Sequence, residues 1–322
     1  MVSMSQQASR ASSPPTPAAG TAIGIKLLDA PENRRADPRA QAYIIDHLAP
    51  GQTIERRVEV TNEAPTPMHV DVYTAAATIG QGKFTFAPQH TPNELTGWTS
   101  FDKTTLELAA SETTRVRTTI QIPKDATAGE RYAVIWAQTP IAVDRDHSHN
   151  LTVLGRVGVR IYLDVGPGGD PPSDFKIERI YATRARDGRQ EVHAQIQNTG
   201  HRALDIKGTL TLSDGPGKLR AGPFAATPGT TLAPGDHAEA IVPLDARLPD
   251  GPWTAELTLQ SGLIEHTQRA TITFPTPHTA TTTAASVTGQ GHLPILTTAL
   301  LAALTLTISL LLPKLLHHHQ RR

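Results

Sequence analysis

Cysteine is absent from the 322 residues. That excludes disulfides, thiolate metal sites and a cysteine nucleophile, but it leaves the compartment open. Net charge is absent too: 30 Lys and Arg balance 30 Asp and Glu. No bulk positive field is available to recruit nucleic acid. Aromatic residues make up only 4% of the chain, so each ring carries weight. Catalytic signatures are missing as well. The sequence holds no G-x-S-x-G elbow, no H-E-x-x-H, no phosphate-binding G-x-x-x-x-G-K and no Rossmann glycine pattern between a strand and a helix. The expectation is a protein that is not an enzyme and uses no cofactor and no metal.

What is present is organised around the C-terminal end. Ile295 to Leu312 reads ILTTALLAALTLTISLLL, without charge or glycine. As a helix it would span roughly 27 Å, close to the hydrocarbon thickness of a bilayer. Apolar residues fall on every face, so Ile295, Leu300, Leu304, Ile308 and Leu312 are expected to meet lipid. Lys314, Arg321 and Arg322 follow within a short tail. The positive-inside bias then places the tail in the cytoplasm and the bulk outside, as a single-pass cell-membrane protein. Residues 1–21 are Ser, Pro, Ala and Gln with one Arg and lack a continuous apolar run, so no signal peptide is visible. Either the start is placed too late or the chain is tail-anchored.

Between the ends lie short alternating segments bounded by Pro and Gly, with no useful stretch of helical period. Ile54 to Asn62, Val70 to Ala75, Arg115 to Ile122, Tyr132 to Trp136 and Val153 to Val165 are the clearest strands of the first part. GPGGDPP at 166–172 is a linker by composition. Val192 to Asn198, Leu204 to Leu212, Ala238 to Leu244, Trp253 to Leu259 and Thr267 to Phe274 form a second set. The fold class is all-β: two tandem Ig-like β-sandwiches plus one C-terminal transmembrane α-helix. The expected division is a disordered 1–21, a sandwich over 22–165, the linker, a second sandwich over 173–274, a Thr/Ala/Pro-rich stalk over 275–292, a membrane helix over 293–316 and a basic tail over 317–322.

The two halves read as one unit repeated. Val58-x-Val60-x-Asn62 matches Ala194-x-Ile196-x-Asn198, and Thr104-Thr-Leu106 matches Thr230-Thr-Leu232. Each strand is expected to end at an Asn in a turn or left-handed conformation. Later, Pro/Gly connections lead to Tyr132 and to Trp253.

Leu48-Ala-Pro-Gly51-Gln, Val58-Glu-Val60-Thr-Asn62, Thr78-Ile-Gly-Gln-Gly82, Leu106-Glu-Leu108, and Pro123 to Gly129 before Tyr132 together carry a resemblance. This stretch resembles the first domain of the WxL-interacting proteins of Gram-positive bacteria, and the layout with a C-terminal helix is similar. The resemblance implies a first domain that binds peptidoglycan and a second that binds a partner surface protein. The match is weaker in the second half, and the N-terminus departs from the family's pattern.

Sugar rings stack on aromatic faces, so Trp98 and Phe101, in an irregular segment beside Asn93, Glu94 and Asp102, are the candidate glycan-binding residues. Trp98 could instead plug one end of the sandwich. His147-Ser-His149 could chelate a metal, but flanking charges make an exposed loop the simpler reading. Glu94 and Asp102 would be the carboxylates of a glycan hydrolase, which needs a facing pair across a cleft. The function read from all this is a non-enzymatic, membrane-anchored adaptor for peptidoglycan and a surface protein. The alternative is a tethered chaperone or assembly factor that pairs with a client by β-strand addition.

Overall fold

The computed structural model describes residues 22–141, 153–245 and 247–276. The first sandwich contains β1 (Ile23–Leu27), β2 (Ile44–Leu48), β3 (Thr53–Asn62), β4 (Met68–Gly80), β5 (Lys83–Phe86), β6 (Thr99–Phe101), β7 (Thr105–Leu108), β8 (Thr113–Gln121), β9 (Gly129–Ile141) and β10 (Val153–Val165). One sheet runs β1-β3-β8-β6. The other runs β2-β10-β9-β4-β5, with β7 also on β4. The second sandwich contains β11 (Phe175–Arg184), β12 (Gln190–Asn198), β13 (Leu204–Gly215), β14 (Leu219–Leu232), β15 (His237–Pro243), β16 (Trp253–Ser261) and β17 (Ile264–Ile272). Its sheets run β11-β12-β15 and β14-β13-β16-β17.

Alternation makes these strands. In β8, Val116, Thr118 and Ile120 turn inward while Arg115 and Arg117 face water. In β16, alternate residues from Trp253 to Ser261 are buried. Inward rows from facing sheets fill one core per sandwich: Val58, Val60, Val116 and Ile135 in the first, Ile196, Leu210, Leu257 and Trp253 in the second. Each fully buried aliphatic side chain of this kind contributes about 1.5–3 kcal/mol.

The internal repeat has a physical basis that differs from the expected one. Asn62 and Asn198 are buried, and neither has the left-handed backbone that was one of the two expectations. The Asn62 side-chain amide donates to the carbonyls of Thr66, Leu108 and Ala109, and its oxygen accepts from Ala64 N–H. The Asn198 amide donates to Arg202, Leu232 and Ala233, and its oxygen accepts from Gly200 N–H. Both latch a strand end to the turn of a later strand. The equivalence therefore pairs Leu108 with Leu232, two residues along from the pairing the sequence suggested.

Two short helices interrupt the strands. Between β1 and β2 come a 3-10 turn (Glu32–Arg34) and α1 (Pro38–Ala42). Pro38 opens α1 and the Asp37 carboxylate accepts from Arg39 N–H, as a capped first turn requires. The segment around Trp98 is also helical: α2 (Glu94–Gly97) is capped reciprocally by Asn93 and Thr96.

The expected membrane helix over 293–316, the stalk beyond residue 276 and the tail charges Lys314, Arg321 and Arg322 lie outside the described residues, as do His147 and His149. Among the described residues, no helix is long and apolar enough to cross a membrane.

Candidate functional site

The chain begins in one sheet and changes to the other. β1 pairs antiparallel with β3 from Ile23 to Leu27. After α1 it re-enters as β2, parallel to β10, from Ile44 to Leu48 against Ile161 to Val165. β10 has 13 residues and all of them pair with β9. β2 covers only the last five, so the eight from 153 to 160 have no hydrogen-bonded neighbour on the far side among the described residues. Alternate N–H and C=O groups of this stretch point away from β9, an unpaired edge at the open side of a buried sheet. Its inward row includes Val157 and Val159, packed on the first core. Its outward row is Leu154, Arg156, Gly158 and Arg160, with Leu154 53% exposed.

Behind this edge the two sandwiches meet in a buried ionic junction. Arg202, 1% exposed, donates to Glu130 at 2.9 Å, to Asp170, and to the carbonyls of Asp46 and Tyr162. Burial works against the Arg202 charge, but Glu130 and Asp170 outweigh it and hold the guanidinium above its ordinary pKa. Asp205 accepts from Arg39, Arg160, Tyr162 and Thr231. Asp46 sits at 2.5 Å from Arg56, yet loss of solvent raises its carboxyl pKa on balance. The Tyr132 and Tyr162 hydroxyls are pushed up strongly by burial, helped by Glu130 and Asp205 respectively. The linker is held as well. His47 lies between the Asp164 carboxylate at 2.6 Å and the Gly168 carbonyl at 3.2 Å, and Asp170 also pairs with Arg34.

Rings cover the outer face of the β2–β10–β9–β4 sheet. Tyr43, Phe84, Tyr132 and Tyr162 cluster at the junction, and Phe86, Trp136, Tyr73 and His90 continue along the sheet. Arg160 lies over Tyr43, Phe84 and Phe86, and Arg156 lies 4.3 Å from the Trp136 ring. Gly158 stands directly opposite Trp136, and a Cβ there would meet the indole at 2.7 Å.

Trp98 and Phe101 sit elsewhere, at the end of the first sandwich. Both are half-buried and pack on the first core. The Arg131 guanidinium lies 4.8 Å from the Trp98 ring and pairs with Glu94 at 2.7 Å, so one ring face is already occupied. A shallow cleft of about 410 Å³ opens beside Trp98, Pro123 and Lys124 and does not include Phe101. Asp102 accepts from Arg117 N–H. Glu94 and Asp102 thus each serve a local structural contact. No group of three His, Asp or Glu among the described residues is placed to hold a metal. Sequence reasoning recognised β10 as a strand but not as an edge, and it passed over Glu130, Asp170, Arg202 and Asp205. The available signal was the mismatch between a five-residue β2 and a thirteen-residue β10.

No family model and no curated protein matches the sequence. Solved structures are similar in fold at low identity. The YadV chaperone is 10% identical, with 77% of this chain and 100% of that one covered and a TM-score of 0.43. The SafB chaperone of Salmonella enterica, solved with the SafA pilin, is 10% identical, covering 79% and 98%, with a TM-score of 0.42. The E. coli chaperone DraB is 13% identical, covering 71% and 95%, with a TM-score of 0.38. The expected kinship with the WxL-interacting proteins is corrected: no family model supports it, and the three similar structures named above are chaperones. Peptidoglycan binding and the single-pass placement at the cell surface are corrected as well: nothing in the comparisons supports them, and among the described residues no helix is long and apolar enough to cross a membrane. The short motifs that suggested the resemblance are the turn and strand punctuation of an Ig-like sandwich, which unrelated sandwiches share.

Proposed function

We propose that this chain is a non-enzymatic chaperone or assembly factor that holds a client protein by β-strand addition along residues 153–160 of β10. The observation that carries the reading is the edge itself: eight residues paired with β9 on one side and with nothing among the described residues on the other, with an apolar inward row. An added strand completes the ladder, and its alternate side chains extend the row begun by Val157 and Val159. Four of the other edges are less suited. β6 has three residues, β11 carries a bulge after Ile177, β15 ends in Pro243, and the inward row of β17 includes half-buried His266 and Gln268. The junction behind β10 fixes the second sandwich beside the edge. The partner surface protein expected from sequence takes the role of client.

A dye-labelled ten-residue peptide of alternating valine and threonine tests the reading. Binding should slow amide hydrogen exchange in 153–160 and leave the edges of the second sandwich unchanged. Protection at β17 or β11 in place of β10, or none anywhere, would reject it.

A further inference from the structure

The outward row of the β10 edge carries a charge without a counter-ion among the described residues. Every other buried or half-buried arginine among the described residues lies within ion-pair distance of a carboxylate. Arg156 is half-buried and its contact is the Trp136 ring, with no carboxylate beside it among the described residues. A cation on an aromatic face keeps its charge but gives up part of its hydration. The indole is itself held in place because Gly158 leaves room for it, so the guanidinium is presented at a fixed height above the sheet.

Resting on the strand-addition reading, we infer that the client strand brings an Asp or Glu side chain to Arg156. A strand paired on the free side of β10 puts the Cβ atom opposite Arg156 about 4.5–5.5 Å from that of Arg156, within reach of a carboxylate. The carboxylate belongs to a side chain and not to a chain terminus. The edge runs on past Arg156 in both directions, through Leu154 and through Gly158 to Arg160, so a paired strand continues beyond this point. A second copy of the same edge does not fit. Antiparallel self-pairing centred on Gly158 sets Arg156 against Arg160 of the other copy, and like charges directly opposite disfavour pairing. Arg160 already shares Asp205, so Arg156 is the residue that selects charge.

Three dye-labelled ten-residue peptides of alternating valine and threonine, with amidated C-termini, test this. A central threonine is replaced by Glu, Gln or Lys, and binding to the full chain is titrated. The Glu peptide should bind about fivefold more tightly than the Gln peptide, and the Lys peptide should be weakest. The order should invert in Arg156→Glu and vanish in Arg156→Gln, which also checks that strand-type circular dichroism is retained. Equal affinities in the wild type, or the same order in all three proteins, would overturn the carboxylate assignment and leave strand addition standing. No binding by any peptide would overturn both.

Discussion

At the scale of single residues, Asn62 and Asn198 do the same work in two places. Each amide N–H₂ group reaches three backbone carbonyls. Alanine at either site removes these side-chain bonds and leaves Ala109 and Ala233 with only the Glu112 and Asp236 N–H groups, which costs about 1–3 kcal/mol per site. Asn62→Ala and Asn198→Ala should each lower the urea midpoint, and Asp should not rescue them, because a carboxylate has no N–H to donate. Rescue by Asp would show that the side-chain oxygen, bonded to Ala64 or Gly200, carries the effect instead.

At the scale of elements, β10 has two partners along five of its thirteen residues and, among the described residues, one partner along the rest. The change happens because the chain leaves the first sheet after Leu27 and returns to the other at Ile44, with α1 in between. Gly158 belongs to this element's design. Its missing side chain admits the Trp136 indole and Val134 from the adjacent strand, each within 2.7 Å of where a Cβ would sit. Gly158→Val should therefore displace the indole, cost about 1–3 kcal/mol as overpacking does, and shift the tryptophan emission. An unchanged emission spectrum would mean that the indole is not held across β10. The expected strands from Ile54 to Asn62, Arg115 to Ile122 and Val153 to Val165 were legible because their apolar residues alternate. The helix at Glu94–Gly97 was not, since one turn is too short to show a period and rests on the local Asn93 and Thr96 cap.

At the scale of the molecule, the two sandwiches share a buried charge network with Arg202 at its centre. Removing the guanidinium leaves the buried Glu130 carboxylate without its counter-ion, while Asp170 keeps Arg34, a loss of about 3–5 kcal/mol. Arg202→Ala should uncouple the sandwiches, so that urea denaturation followed by circular dichroism separates into two steps where the wild type shows one. A single transition with an unchanged midpoint would mean that the network is dispensable for coupling.

The sequence by itself determined that the chain is all-β, which residues face the cores, and that one half repeats the other. Those properties are periodic and local: a period of two sets the faces, and Pro, Gly and Asn mark the ends. It also suggested a glycan platform at Trp98 that the structure packs against the core beneath Arg131, and a family kinship that the comparisons do not support. Only the tertiary structure decided which strand is left with an open edge. That depends on where β2 lands beside β10, a pairing between residues more than one hundred positions apart. The same holds for the ionic junction, since Arg202 meets Glu130 only once both sandwiches have closed. Long-range pairing leaves no period in the chain, so the open edge and the junction behind it were invisible until the fold brought their residues together.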